Sequence, residues 1–236
     1  MAIKYHSPIK GINEDIAELF GLHAGDGWLY RNQWGITCNS SDENLIGRIC
    51  DLSRRVLGIE PTLSYNQSSH GVRIRSGQRQ VIDYFKKCFP VGKKAYTVRM
   101  PNDIMKSEDV RVIKGALRGL FSSDGCFSFR KKDLYPYIRF TSRSKDLIDQ
   151  FVELASRLGY IFRIYSQQRN GVIYTANLRE KQVIKWMSEV GTACDAHIKR
   201  FEVWKIEAGV PETGKRAGLK ILWRRPSWVQ IPPPAL

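Results

Sequence analysis

Apolar side chains recur every three or four residues in six stretches, and that spacing predicts six helices with one buried face each. In Asp42 to Leu57 the inward set is Leu45, Ile49, Leu52 and Val56, with Gly58 as the stop. In Ser144 to Leu158 it is Leu147, Phe151 and Leu154. Residues 14–26, Gln78 to Phe89, the run ending at Asp124 and Arg179 to Val190 complete the set. Between them the alternation shortens to a period of two, which predicts strands. Gly27–Arg31 with Trp34–Asn39, and Thr62–Tyr65 with Gly71–Arg75, read as two hairpins. Cys126–Arg130 with Tyr137–Thr141, and Ile161–Tyr165 with Val172–Ala176, read as two more.

The order of elements occurs twice. Asn44-Leu45-Ile46 matches Asp146-Leu147-Ile148, and Gln80-Val81-Ile82 matches Gln182-Val183-Ile184, both offset by 102 residues. Internal duplication accounts for this. Antiparallel hairpins segregated from helices indicate an α+β fold. The expected architecture is two pseudo-symmetric αββαββα halves, residues 1–105 and 106–208, each with a four-stranded antiparallel sheet. A leading arm (1–12) and a basic, proline-containing tail (209–236) flank them.

Each half is organised around one stretch: Leu19-Phe20-Gly21-Leu22-His23-Ala24-Gly25-Asp26-Gly27, then Leu117-Arg118-Gly119-Leu120-Phe121-Ser122-Ser123-Asp124-Gly125. Both read Leu-x-Gly-Leu-x-x-small-Asp-Gly. Each follows a start signal, Asn13-Glu14-Asp15 or Ser107-Glu108-Asp109, in which Asn or Ser can cap and acids suit the first turn. Small residues four apart (Gly21 and Gly25, Gly119 and Ser123) predict two helices in close backbone contact. Leu19, Leu22, Leu117 and Leu120 then enter the core of their own half. The glycine after each Asp is expected at positive φ, ending the helix. The two aspartates then meet at negative helix ends and repel unless a cation lies between them.

Charge narrows the partner. Thirty-eight Lys plus Arg against 23 Asp plus Glu give +15, which favours a polyanion. No apolar run approaches the ~20 residues of a membrane helix, and the first residues lack a signal-peptide apolar region. Nucleic acid is the expected partner, with no membrane. Five cysteines without a Cys-x-x-Cys pair, and four histidines without zinc spacing, predict free thiols in a reducing compartment and no structural zinc. Several strands alternate apolar with basic or aromatic polar residues, so each sheet would bury one face on helices and turn the other to DNA. The candidate contacts are Arg31, Gln33, Tyr65, Gln67, Arg73, Arg75, Arg130, Lys132, Arg139, Arg163, Tyr165 and Gln167.

With both motifs in view, residues 10–205 resemble a LAGLIDADG homing endonuclease of the single-chain, two-motif type. The resemblance implies curved sheets straddling the DNA major groove and a monomer that binds a long, pseudo-palindromic or asymmetric duplex target. It implies double-strand cleavage with short 3′ overhangs, as in intron homing. It makes Asp26 and Asp124 ligands of a divalent metal, Mg²⁺ with Mn²⁺ or Ca²⁺ as substitutes, joined by the carbonyls of Gly25 and Ser123. Lys94 and Lys199 match the family's basic helpers, with Lys93 a near rival. Ser40 and Ser142 stand where the family often has Gln, and Phe20 and Arg118 where it commonly has Ala. An intron-encoded RNA maturase or a non-cleaving DNA-binding relative is the alternative.

Overall fold

The computed structural model describes residues 11–210, apart from 67, 69 and 180. The first motif forms helix α1 (Glu14–Asp26), capped by the Asn13 side chain, which accepts from the Ile16 N–H at 2.9 Å. Strands β1 (Gly27–Leu29) and β2 (Trp34–Asn39), helix α2 (Glu43–Leu57), strands β3 (Thr62–Asn66) and β4 (Gly71–Ser76) and helix α3 (Arg79–Cys88) follow. A four-residue turn of helix, α4 (Asn102–Met105), leads to the second motif, α5 (Val110–Asp124). Then come β5 (Gly125–Arg130), β6 (Tyr135–Ser142), α6 (Lys145–Arg157), β7 (Arg163–Gln168), β8 (Val172–Arg179), α7 (Lys181–Glu189) and α8 (Asp195–Glu207). The strands make two four-stranded antiparallel sheets, ordered β1-β2-β4-β3 and β5-β6-β8-β7.

The fold class is as expected, and the differences are local. Strand β1 ends at Leu29 because the Tyr30 N–H bonds Gln33 O at 2.9 Å and closes the turn, leaving Arg31 in it. Strand β7 starts at Arg163, since the Ile161 N–H is taken by the Gln182 side chain at 3.0 Å and Phe162 is buried against Phe151 and Trp186. Helix α8 was not foreseen; its apolar residues follow no clear helical face. Asp109, not Ser107, caps α5, by accepting from the Arg111 N–H. Tail residues 211–236 and arm residues 1–10 lie outside the described part of the chain.

Helices α1 and α5 pack directly on each other. A Cβ on Gly21 would overlap Ala116 O, one on Gly119 would overlap Glu18 O, and one on Gly25 would overlap the Ser123 hydroxyl. The small residues are therefore required by backbone contact, as the four-residue spacing implies. The glycines after the aspartates correct an expectation. Gly27 and Gly125 have φ of −75° and −84°, which any residue adopts. They are needed because a side chain there would collide with the rings of His23 and Phe121 one turn back.

Two reciprocal clamps join the halves. Asp42, which caps α2, also accepts from the Asp195 N–H at 2.9 Å at the start of α8. Asp195 in turn accepts from the Asn44 N–H at 3.1 Å. On the other side the α6 cap, Ser144, donates to Val98 O at 2.7 Å, and Gln150 accepts from the Met100 N–H at 2.7 Å. Asp42 and Ser144 are 102 residues apart, so the same register position ties each half to the connecting chain of the other.

Candidate metal and nucleic-acid site

Asp26 and Asp124 are the last residues of α1 and α5, and β1 and β5 start at the next residue. Each carboxylate thus stands where its motif helix hands over to its sheet. A Cβ on Gly25 would lie 3.1 Å from Asp124 Oδ2, so the α5 carboxylate abuts the final turn of α1. Burial, then the charge of Asp26, pushes the Asp124 pKa up to about 7, against the opposing pull of Lys94. Burial likewise raises Asp26, again opposed by Lys94. These shifts mark two partly buried carboxylates, with Asp124 also under the charge of Asp26.

Lys94, from the segment after α3, supplies the neighbouring positive charge. Its ammonium donates to His23 O and Gly25 O, each at 2.7 Å, and to Ala24 O. It therefore satisfies the carbonyls that the end of α1 leaves without partners. Burial brings its pKa down to about 8, although Asp124 and Asp26 both favour the charged form. A cavity of about 430 Å³ opens here, lined by Asp124, Lys94, Gly25, Ser142 and Arg143 among others. Lys94 thus puts one positive charge near the two carboxylates while its ammonium is bonded to the carbonyls at the end of α1.

The other expected helpers are placed differently. Lys199 is exposed on α8, where it acts on Asp195, and does not line that cavity. In its region His197 is the inward group, with Nε2 3.1 Å from Gly125 O, Nδ1 3.2 Å from the Thr192 hydroxyl and its ring stacked on Phe121 at 4.8 Å. Burial lowers His197 to about 4, outweighing its bond to Gly125 O, so it is neutral at pH 7. Lys93 is exposed. Ser142 reaches the cavity; Ser40 does not line it. The Gly25 carbonyl already accepts from Lys94, and the Ser123 hydroxyl donates back to Gly119 O and Leu120 O. Arg143, which no motif marks, lines the cavity and is braced on Tyr96, donating to its hydroxyl at 2.6 Å.

Among the described residues no group of three or more His, Cys, Asp or Glu side chains could hold a metal. Two carboxylates with backbone carbonyls are instead a sparse set of hard oxygen donors. That set fits Mg²⁺, Mn²⁺ or Ca²⁺, which keep several waters or accept carbonyls, and does not fit a closed zinc site. The five cysteines are all free.

The sheet faces follow from register. In the first sheet Gly35 pairs with Arg75 and Thr37 with Arg73, so both arginines share the face opposite the buried Ile36 and Ile74. Ser64 joins them by pairing with Arg73. Tyr65 is exposed but one residue out of step with that face; Arg31 and Gln33 lie in the β1–β2 turn; Gln67 is outside the described residues. In the second sheet Arg130, Arg139, Arg163, Tyr165 and Gln167 occupy one face, and Lys132 is exposed in the β5–β6 turn. Trp28, Asn177 and Arg179 lie on these faces without having been expected there. Trp28 covers Gly35, whose missing side chain makes room for the indole. Asn177 and Arg179 were overlooked because β8 runs three residues beyond the expected end at Ala176.

Comparison with known proteins agrees with this geometry. Residues 111–191 match the sequence model of the LAGLIDADG-like domain. The chain is 23% identical over 193 residues to the replication factor C small subunit of Methanocaldococcus jannaschii, a match spanning 80% of this chain but 10% of that protein. An uncharacterized protein of the same organism is 22% identical over 113 residues, 46% of this chain and 14% of that protein. The chain thus spans only about a tenth to a seventh of the curated relatives it matches. The structure resembles I-DmoI in complex with DNA and Ca (TM-score 0.57, 18% identity, 82% of this chain and 100% of that one). It also resembles the I-LtrWI LAGLIDADG homing endonuclease bound to target DNA (0.54, 16%, 83% and 90%). A third likeness is the N-terminal LAGLIDADG domain of WhiA (0.52, 15%, 80% and 86%). Residues 111–191 are thus similar to the LAGLIDADG-like domain, and the chain taken whole has the two-sheet fold seen in I-DmoI and the I-LtrWI LAGLIDADG homing endonuclease.

Proposed function

We propose that this protein is a site-specific, divalent-metal-dependent endonuclease that cuts both strands of a long duplex DNA target and leaves short 3′ overhangs. The observation that carries this reading is the pair of partly buried carboxylates, Asp26 and Asp124, at one end of a two-helix crossing, the second raised by the charge of the first. Both halves, 1–105 and 106–208, belong to one chain, so a monomer has both carboxylates and both sheets. The strand-face arginines supply the positive surface for the duplex, and the net charge of +15 supports the same partner.

A bound divalent ion would lower the pKa of water and stabilise the leaving 3′ oxygen. The chain's own part is more specific. Asp26 and Asp124 would hold the ion, whose charge would offset their repulsion. The carbonyls of Gly25 and Ser123 are at hand as further oxygen donors, Gly25 only once Lys94 releases it. Lys94 and Arg143 line the same cavity as Asp124, so their charge can offset the negative charge that develops at a phosphate there. His197, neutral and bonded to Gly125 O, holds the start of β5 and leaves Lys199 no evident part in the chemistry.

The test uses duplexes selected for cleavage from a randomised library. Asp26→Asn and Asp124→Asn are each expected to reduce cutting in Mg²⁺ by at least about 1,000-fold while binding in Ca²⁺ persists, in line with the size of metal effects. Wild-type rates from both variants would overturn the assignment. A second reading, a non-cleaving DNA-binding relative or an RNA maturase, is favoured by one observation. Lys94 supplies a positive charge near the carboxylates without any metal. That reading predicts binding unchanged by Mg²⁺ or Mn²⁺, no cut product in either, and, for a maturase, competition by structured RNA.

A further inference from the structure

The two halves close on the carboxylates with different chemistry. The chain after α3 and the chain after α7 take the same path. Gly92 and Gly191 both have positive φ, +85° and +70°. Lys94 O then accepts from the Thr97 and Val98 N–H groups at 2.9 and 2.8 Å, and Cys194 O accepts from the His197 and Ile198 N–H groups, both at 3.1 Å. Lys94 and Cys194 therefore open the same turn, one in each half, and a thiol stands where the other half has an ammonium. Lys94 meets the carbonyls of His23 and Gly25 at 2.7 Å. The end of α5 is met by neutral groups instead: the Ser122 hydroxyl accepts from the Ala193 N–H at 2.9 Å and lies 3.3 Å from the Thr192 hydroxyl.

The strand ends differ in the same sense. Gly27 pairs with Ile36 and Gly125 with Phe140. Counting on from those pairs, Cys38 matches Ser142 and Asn39 matches Arg143. Arg143 is braced by Tyr96 and lines the cavity with Asp124 and Lys94. Asn39 is neutral, and its side chain turns back to accept from the Ser41 N–H and hydroxyl at 3.0 and 2.9 Å. Burial, then the charges of Asp42 and Asp26, pushes the Cys38 thiol up to about 12, so this strand end lies within reach of Asp26. Two arginines of the same region are placed elsewhere. Arg73, opposite Thr37 in register, lines a separate cavity with Ser64, Tyr65, Asn66 and Ser68. Arg200 on α8 donates to Cys126 Sγ at 3.7 Å, on the strand that follows Asp124. Positive charge is thus one-sided, with Lys94 and Arg143 beside Asp124 and a thiol and an amide at the matching places of the other half.

We propose that the two strands are cut in a fixed order, the strand seated at Asp124, Lys94 and Arg143 first and the strand seated at Asp26 second, through a nicked duplex. The inference rests on the endonuclease reading above and adds which side is the more competent and which residues make it so. At each phosphate a water oxygen bonds to phosphorus and the bond to the 3′ oxygen breaks. The two protons of the water end on the 3′ hydroxyl and the new 5′ phosphate. Negative charge grows on the phosphate oxygens as this happens. Two cations in a partly closed cavity stabilise that charge, whereas a thiol and an amide already bonded to its own loop do not. Asp26 keeps its carboxylate, so the second cut is slow rather than absent.

The experiment uses the full chain in excess over supercoiled plasmid carrying one selected target, in Mg²⁺. Nicked circles should accumulate before linear product, with the two strand rates at least about tenfold apart. A duplex labelled on each strand should show the same strand cut first, and inverting the base pairs between the two cuts should leave that order unchanged. Lys94→Met should slow the first strand by about 100-fold and erase its lead, and Arg143→Ala should narrow the lead by about tenfold. Cys194→Lys, which puts an ammonium at the matching turn, should speed the second cut and shrink the nicked pool; a gain of rate cannot come from misfolding. Equal strand rates, or a lead that follows the inverted bases, overturn the proposal and leave the endonuclease reading standing. A lead that survives both Lys94→Met and Arg143→Ala does the same. Absence of any cut in Mg²⁺ and Mn²⁺ removes the endonuclease reading itself, and this inference with it.

Discussion

Helices α1 and α5 share a backbone plan yet differ in the chemistry around it. Positions offset by 98 residues are alike where main chains touch: Gly21 and Gly119, Gly25 and Ser123, Asp26 and Asp124, Gly27 and Gly125. Elsewhere they diverge. Phe20 of α1 packs on Tyr84, Phe85 and Phe89, while its counterpart Arg118 binds Glu14 and Glu18. Glu18 is matched by Ala116, and His23 by Phe121. Lys94 reaches the end of α1, whereas a neutral imidazole, His197, meets the chain just after α5. Close backbone approach tolerates only small residues, so it holds the duplication in register. Side chains beside that backbone contact are free to differ, and the two carboxylates come to sit in unequal surroundings.

The charged side of that inequality gives the largest expected effect. Glu18 is fully buried and accepts from Arg48 and Arg118, each at 2.6 Å. Burial alone would raise its pKa, but bonds from Arg48 and then Arg118 bring it below the usual carboxylate value. Replacing it with the residue of the other half, Glu18→Ala, takes from the largely buried Arg118 its buried partner and leaves it the half-exposed Glu14. A loss of about 3–5 kcal/mol is expected by denaturant unfolding. The double variant Glu18→Ala/Arg118→Leu should recover most of it, because the buried charge goes with its partner. A double variant as unstable as the single one would show that the loss did not come from the arginine.

This network also marks the limit of what the sequence discloses. Helices, strand pairing and the α1–α5 contact are legible because they rest on local spacing and small residues at fixed offsets. The aspartates are legible because both copies end alike. Arg118 is visible as a departure from the motif, but its partners are Glu14 and Glu18, about 100 residues away, and Arg48 joins through a third helix. Lys199 stands apart from the cavity for the same reason. Matching order along the chain selects a lysine, but the unforeseen α8 turns His197 inward and leaves Lys199 in solvent. Asn177 depended on where β8 ends, which propensity locates poorly.

The two lysines sharpen the comparison directly. Lys94→Met removes the ammonium beside Asp124 and is expected to lower cleavage by about 100-fold, the usual scale for a positioned basic group. It should also raise the Asp124 pKa further, since Lys94 now holds it down. Lys199→Met should leave the rate within about twofold, as expected for a group outside the site. Single-turnover cutting of a selected duplex compares the two. Equal losses would restore the symmetric assignment that the geometry disfavours.

The smallest effect concerns His23, whose two ring nitrogens are buried without partners between Phe85 and Phe89, each 4.7 Å away. Burial, and then Lys94, holds its pKa well below the usual value of 6.5. The folded protein thus keeps His23 neutral in mild acid, while the unfolded chain takes up a proton near pH 6.5. Below that pH the unfolded state binds more protons, so stability falls as pH drops, by up to about 1.4 kcal/mol per pH unit from this one group. Above it the group contributes no slope. His23→Phe copies Phe121 of the other half, and Gly27 leaves the same room at its edge that Gly125 leaves for Phe121. The variant's advantage in unfolding free energy should therefore widen from pH 7.5 to pH 5. His197 is present in both proteins and cancels from the difference. A gap that stays constant over that range would mean that His23 is not buried neutral, and that the two motif helices are more alike in their surroundings than this arrangement of rings implies.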